Sequence, residues 1–287
     1  MDCGLYQPTM KRSLLCLSLL LCALTNKAQV AVSDSIFNQT VRQAMDLAAI
    51  DSLTAARDMF TSALKMRPNG PQSALLYRYL AQIQERQGQR EEALRTYGIA
   101  INLQPRDARL LLDRAALLYH MSQGERAAQD YSAALDIEPE NEEALFMRGH
   151  IRYEGRDYNG ARRDYEQLIR INPSRTDALC GLALVNDRSG RAVEAMGQMN
   201  GLIERFPNEA MFYALRGGMH QRQGRYEQAL ADLSEAIRLN PQEADYYVSR
   251  ATLYLEMGNR KLARQDTRTA TALGADAREM AGLLKSK

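Results

Sequence analysis

Residues 210–243 begin Ala210-Met211-Phe212-Tyr213-Ala214-Leu215-Arg216-Gly217. They continue through Gly224-Arg225-Tyr226, Ala229, Leu233 and Ala236 to Leu239-Asn240-Pro241. A proline recurs at intervals of 34 before Pro241, at Pro207, Pro173, Pro139, Pro105 and Pro71. The chain has only eight prolines, so five equal intervals mark an internal repeat and not composition.

Other positions keep the same step. Twenty-four residues before each proline stands a tiny residue (Ala81, Ala115, Gly149, Ala183, Gly217), and twelve before it an alanine (Ala93, Ala127, Ala161, Ala195, Ala229). Eight before it stands a large side chain (Tyr97, Tyr131, Tyr165, Met199, Leu233), and five before it Ala100, Ala134, Leu168, Leu202 or Ala236. These spacings place two amphipathic helices of about thirteen residues in each unit. Gly88, Gly190, Gly224 and Gly258 punctuate the middle, where a left-handed residue ends a helix. The proline stops the second helix because it lacks a backbone donor. Tiny residues let two backbones approach, and the large side chain fills the gap. Neither helix buries its apolar face alone, so the units must stack.

A 34-residue helix–turn–helix unit with this order of small, aromatic, small and proline resembles the tetratricopeptide repeat, of an exported bacterial type. The resemblance covers residues 37–277. Full copies are expected at 74–107, 108–141, 142–175, 176–209 and 210–243. A sixth, 244–277, keeps Tyr247, Arg250, Ala251, Gly258, Ala263 and Ala270 but has Ala275 in place of proline. A seventh, 37–70, keeps Ala44, Leu47, Ala56, Phe60, Ala63 and Pro68, joined on by three extra residues ending at Ser73. The family's early tryptophan is absent, its place taken by Tyr77, Leu111, Leu145, Leu179, Tyr213 and Tyr247. The implied fold class is all-α, a right-handed α-solenoid of about seven units. Residues 278–287 are expected to form a closing helix shielding the last unit.

One co-occurrence predicts ion pairs. Arg114, Arg148, Arg216 and Arg250 precede the tiny residue, and Asp130, Asp164, Asp232 and Asp266 follow sixteen residues later. The two full units with leucine instead (Leu80, Leu182) carry Thr96 and Gln198 at the second place. A salt bridge between the two helices of one unit is expected, worth about 0.5 kcal/mol as an exposed pair.

The N-terminus reads as a targeting segment. Lys11-Arg12 precede an apolar run from Leu14 to Leu24, then Thr25-Asn26-Lys27-Ala28. This describes a secretory signal over residues 1–28, cleaved after Ala28, with Met10 as the expected start of translation. The run is short for a membrane anchor, and Leu21 does not suit a lipoprotein site at Cys22. Residues 29–36 are expected to be a linker whose Ser33-Asp34-Ser35 caps the first helix. Residues 1–28 hold three basic groups and one acid, so removing them leaves 34 charges of each sign. A neutral total argues against nucleic acid or anionic lipid as partner. Cys180 is then the only cysteine, which excludes an internal disulfide. The expected destination is the periplasm or cell envelope, with no integral membrane span after cleavage.

No catalytic motif is present: no Gly-x-Ser-x-Gly, no phosphate-binding glycine loop, no His-Glu-x-x-His, no Cys-x-x-Cys. His120 and His150 could be neighbours, but a metal there would find only Asp113 or Glu154 as a further ligand. Hence no enzyme, cofactor or metal is expected. In tetratricopeptide stacks the first helices line a concave groove. Carried over by position, that groove shows Arg78 and Gln82, then Leu112, Tyr119 and His120, then Phe146, His150 and Tyr153, then Leu184. The aromatic middle is where a peptide would anchor; alternatively, Tyr119, Phe146 and Tyr153 pack between units. The lysine and asparagine with which chaperone-tail-binding members hold a terminal carboxylate are missing, and Arg78 with Gln82 is the nearest imitation. The resemblance implies a protein-binding scaffold or adaptor. The competing readings are a self-assembling structural protein and, further off, an enzyme of unknown class, which would have to show turnover that is lost on replacing His150.

Overall fold

The computed structural model describes residues 33–285, and the expected signal segment lies outside them. The chain divides into two compact units, the first ending at Ile137 and the second running from Glu138. The first holds α1 (33–49), α2 (Leu53–Met66), α3 (Ser73–Arg86), α4 (Arg90–Leu103), α5 (Ala108–His120) and α6 (Gly124–Ile137). The second holds α7 (Glu142–Glu154), α8 (Tyr158–Ile171), α9 (Thr176–Arg188), α10 (Ala192–Arg205) and α11 (Ala210–Arg222). It is completed by α12 (Tyr226–Leu239), α13 (Ala244–Glu256), α14 (Arg260–Ala272) and α15 (Ala277–Leu283). The described residues contain no strand. Within each unit the helices pack in chain order, each on the next, as an all-α solenoid.

The repeat positions explain the packing. Ala81, Ala93 and Ala100 are fully buried, as are Ala115, Ala127 and Ala134. Between them Tyr97, Tyr131, Tyr165, Met199 and Leu233 fill the space that small residues leave, each no more than 2% exposed. Phe60 does the same between α1 and α2, and the smaller Thr267 in the last pair. Truncating one of the large side chains to alanine costs about 2–5 kcal/mol.

Every turn inside a helix pair is built alike. The residue seventeen before the proline position has positive φ: Gly88 (77°), Gly190 (84°), Gly224 (71°) and Gly258 (78°). Three turns put a side chain there instead, with Asp51 at 62°, Ser122 at 59° and Arg156 at 63°. The next N–H reaches back over the turn to a helix carbonyl, as from Gln89 to Gln84 (2.8 Å) and from Asp157 to Arg152 (2.8 Å). This closes the exposed carbonyl end of the first helix of each pair.

Three expectations need correction. Residues 33–36 are helical, not linker: α1 is already under way at 33, and Asp34 forms an ion pair with Arg67 instead of capping. The Arg67 guanidinium also lies over the Phe37 ring, 4.5 Å from its centroid. Pro71 matches the 34-residue step by coincidence. Pro68, immediately after the cap residue Arg67 of α2, occupies the helix-ending place, and Pro71 belongs to the longer turn before α3. Finally, the closing helix is shorter than 278–287, running from Ala277 to Leu283. Asp276 caps it by accepting from the N–H groups of Arg278 (2.8 Å) and Glu279 (2.9 Å). Met280 is buried, and Leu283 and Leu284 pack on the cluster of Ala251, Leu255 and Ala263.

Candidate functional site

The four arginine–aspartate positions meet with two-pronged geometry. Arg114 reaches Asp130 at 2.7 and 2.8 Å, and Arg148 reaches Asp164 at 3.1 and 2.6 Å. Arg216 reaches Asp232 at 2.9 and 2.7 Å, and Arg250 reaches Asp266 at 2.8 and 2.9 Å. These are not the exposed pairs assumed from sequence, since the aspartate side chains are at most 10% exposed. Hydrogen bonding to aspartate raises the pKa of Arg114, Arg216 and Arg250. A third donor extends two of the pairs to the preceding helix, Arg216 to Asn200 (2.8 Å) and Arg250 to Ser234 (3.2 Å). In the leucine unit of α9 and α10, Gln198 instead accepts from Asn186 at 2.9 Å. In that of α3 and α4, Thr96 bonds its own helix at Glu92.

In the first compact unit the expected groove residues sit on α3 and α5. Arg78 does not imitate a carboxylate clamp, because its guanidinium is taken by Asp113 of α5 at 2.5 Å. Gln82, one turn on, donates to the same Asp113 oxygen at 3.1 Å. Leu112 is buried; Tyr119 is half-buried with its ring 6.1 Å from that of the exposed His120. Beside Gln82 opens a cavity of about 580 Å³, walled by Phe60, Tyr79, Tyr97 and Ile83 and edged by Glu85 and Asp113. The Tyr79 ring stacks on Phe60 with centroids 5.8 Å apart. Tyr97 donates its phenolic proton to Glu85 at 2.6 Å. Burial pushes the Glu85 pKa up against the opposing effect of that bond, and burial with the Glu85 contact also raises Tyr97.

In the second unit Phe146 of α7 stacks on His150 (6.5 Å between centroids, 4° between planes) and meets Tyr165 of α8 at 6.0 Å. Arg175 lies over the Phe146 ring at 5.4 Å, held by Glu142 (2.8 Å) and Asp177 (2.9 Å). Tyr153 packs on Tyr158 with centroids 6.0 Å apart. Leu184 of α9 packs, partly buried, on the cluster of Ala183, Met199 and Phe212. Tyr165 lies directly under α9: a Cβ on Gly181 would be 2.6 Å from its Cζ.

Cys180 is buried and its thiol is pushed up to about 12 by desolvation, which leaves it unreactive. His220 is buried with its Nε2 3.8 Å from Asp232, and burial lowers its pKa. Among the described residues, no group of three or more His, Cys, Asp and Glu side chains is placed to hold a metal ion. Nor is any helix among them long and apolar enough to cross a membrane.

Glu85, Tyr79 and Tyr97 were missed as site residues. The signal for Glu85 and Tyr97 was a spacing of 12, which joins the two helices of a pair and recurs as Arg152–Asp164, Asn186–Gln198 and His220–Asp232. A second spacing, 35 or one repeat plus one, joins adjacent repeats. Arg78–Asp113 and Arg86–Asp51 obey it in the first unit, as do Arg222–Asp187 and Gln221–Glu256 in the second.

A family model of the tetratricopeptide repeat matches residues 80–142 and 146–210, and a TPR-repeat model matches 219–258, together more than half the chain. A solved tetratricopeptide repeat protein from Parabacteroides merdae is 26% identical, with TM-score 0.75, over 87% of this chain and 97% of that one. TTC0263, a thermophilic TPR protein in Thermus thermophilus, is 19% identical with TM-score 0.56, over 63% of this chain and 98% of that one. MamA from Desulfovibrio magneticus is 22% identical with TM-score 0.55, over 61% and 98%. No curated protein matches the chain.

Proposed function

We propose, from the premise that this chain belongs to the tetratricopeptide repeat family, that it is a non-catalytic scaffold of the bacterial cell envelope that binds a segment of another protein. The fold is that of a protein–protein interaction scaffold, and its first helices carry the recognition faces. The observation that carries the reading is the open cavity on the face of α3, beside Gln82, with aromatic walls and a few polar groups. The half-buried Phe146, His150 and Tyr153 on α7 supply a second patch of ring surface in the other unit. Export is supported by Lys11-Arg12 and the apolar run to Leu24.

Crosslinking capture from the native envelope tests this, run with the intact protein and with Tyr119→Ala/Phe146→Ala/Tyr153→Ala. The intact protein is expected to retain a distinct partner that the triple variant, verified as folded by circular dichroism, retains poorly. Equal capture by both removes Tyr119 and the α7 patch from the proposal and leaves the cavity on α3, which the triple variant does not alter. Concentration-dependent oligomers in light scattering, with no hetero-partner, favour self-assembly instead. Mass spectrometry of the exported protein is expected to find Gln29 first; an intact signal in the cytosolic fraction rejects the envelope assignment.

A further inference from the structure

The cavity on α3 is edged by a carboxylate that has no ion pair. The other ionic groups there are already spoken for: Asp113 by Arg78 at 2.5 Å, and Arg86 by Asp51 at 2.5 Å. Glu85 differs. Among the described residues it accepts a hydrogen bond from Tyr97 at 2.6 Å and has no ion pair with lysine or arginine; His120, when protonated, acts on it from beyond ion-pair distance. It stands, partly buried, at the edge of a space lined by Tyr79, Met45 and Ala48, over the buried Phe60 and Tyr97. A carboxylate in that setting costs free energy when a ligand strips its remaining water, unless the ligand brings a positive charge.

We propose that this cavity is a lysine-recognition pocket, taking the side chain of a lysine from an extended partner segment. The inference rests on the reading of the molecule as a peptide-binding scaffold. The alkyl stem of lysine lies along the Tyr79 ring and Met45, as long cationic side chains do on apolar surface. Its ammonium reaches Glu85 with the ring faces nearby. Anionic ligands are disfavoured because both neighbouring guanidinium groups are held by aspartates. Arginine fits less well. Its planar fork wants two acceptor oxygens side by side, and Glu85 Oε1 is occupied by Tyr97 while both Asp113 oxygens face Arg78. One carboxylate oxygen remains, which suits a point charge.

The test is affinity selection by the intact protein from degenerate nonapeptide pools, acetylated and amidated at their ends, with lysine and arginine excluded from every position but the centre. The centre is fixed as lysine, acetyl-lysine, norleucine, arginine or glutamate. The lysine pool is expected to be retained about tenfold over the acetyl-lysine and norleucine pools, as a charge-assisted contact requires. Glu85→Gln, which keeps an acceptor for Tyr97, is expected to abolish that preference without changing the circular dichroism. Tyr97→Phe frees the second oxygen and is expected to raise the arginine pool relative to lysine. Equal retention of lysine and acetyl-lysine overturns the proposal, as does an unaltered preference in Glu85→Gln, best retention of arginine or glutamate by the intact protein, or an unmoved ratio in Tyr97→Phe. If native-envelope capture still finds a partner, such a result removes only the pocket. If neither a partner nor any pool is retained, the scaffold reading falls with it.

Discussion

The repeats at 74–107 and 142–175 place different residues at the same positions, and one has a cavity where the other is filled. Both bury a tyrosine eight residues before the proline, Tyr97 and Tyr165. Above Tyr165 the next repeat supplies Gly181, so the α9 backbone closes directly on the ring. The equivalent residue above Tyr97 is Asp113, whose side chain is drawn to Arg78 and Gln82. Where one repeat has Arg78, Gln82 and Glu85, the other has Phe146, His150 and Tyr153. Their carboxylates differ in the same sense. Asp164 receives Arg148 twice and Arg152 at 2.6 Å, while Glu85 receives only a phenol. A saturated carboxylate holds helices together; one left without a cation, beside open space, is available to a ligand.

The largest expected effect breaks the saturated side. Asp164→Ala removes the buried carboxylate that Arg148 and Arg152 share and is expected to cost about 3–5 kcal/mol in urea melts. Converting a whole pair to the other repeat's pattern should cost far less. Arg114→Leu/Asp130→Thr imitates Leu80 and Thr96, and is expected to fall within about 1 kcal/mol of the parent, since apolar replacement of a buried pair is often neutral. A large loss in the double variant would mean that the pair contributes more than register.

Next comes the closed seat. Gly181→Ala pushes a methyl into Tyr165 and is expected to destabilise by about 1–3 kcal/mol, read as a lowered urea midpoint. A neutral result would show that α9 can lift, and that the contrast with the open repeat is soft. Smaller still is a gain: Arg156→Gly relieves a side chain held at φ 63° and is expected to add about 1 kcal/mol.

The smallest effect concerns protons. The Glu85 pKa is raised from 4.5 by burial, so the folded state binds this proton more tightly than the unfolded chain. The charged form therefore disfavours folding at neutral pH, and the penalty is relieved as pH falls through the raised folded value toward 4.5. The intact protein is expected to gain this increment on acidification, and Glu85→Gln to lack it. His220 has the opposite sign: its lowered pKa means stability present above about 6.5 is lost as pH falls below it. Paired urea titrations at pH 7 and 5 of both variants, Glu85→Gln and His220→Gln, separate the two.

The repeat itself was legible because its alanines, tyrosines and prolines serve contacts at fixed short spacing, and each recurs often enough to be counted. The sixteen-residue step joining arginine to aspartate was legible for the same reason. Their burial was not, because depth depends on the helices of the neighbouring repeat. Pro71 misled since arithmetic alone cannot distinguish a helix-ending proline from one in a longer turn. The cavity was least legible. It arises from Asp113 turning toward Arg78 across a spacing of 35, and from Tyr97 meeting Glu85, neither of which recurs in every unit.

That spacing of 35 has a further consequence. A residue on one first helix finds its polar partner as soon as about one more repeat has been synthesised. Folding can thus proceed vectorially, each emerging pair docking on the last, with no need to wait for the chain's far end.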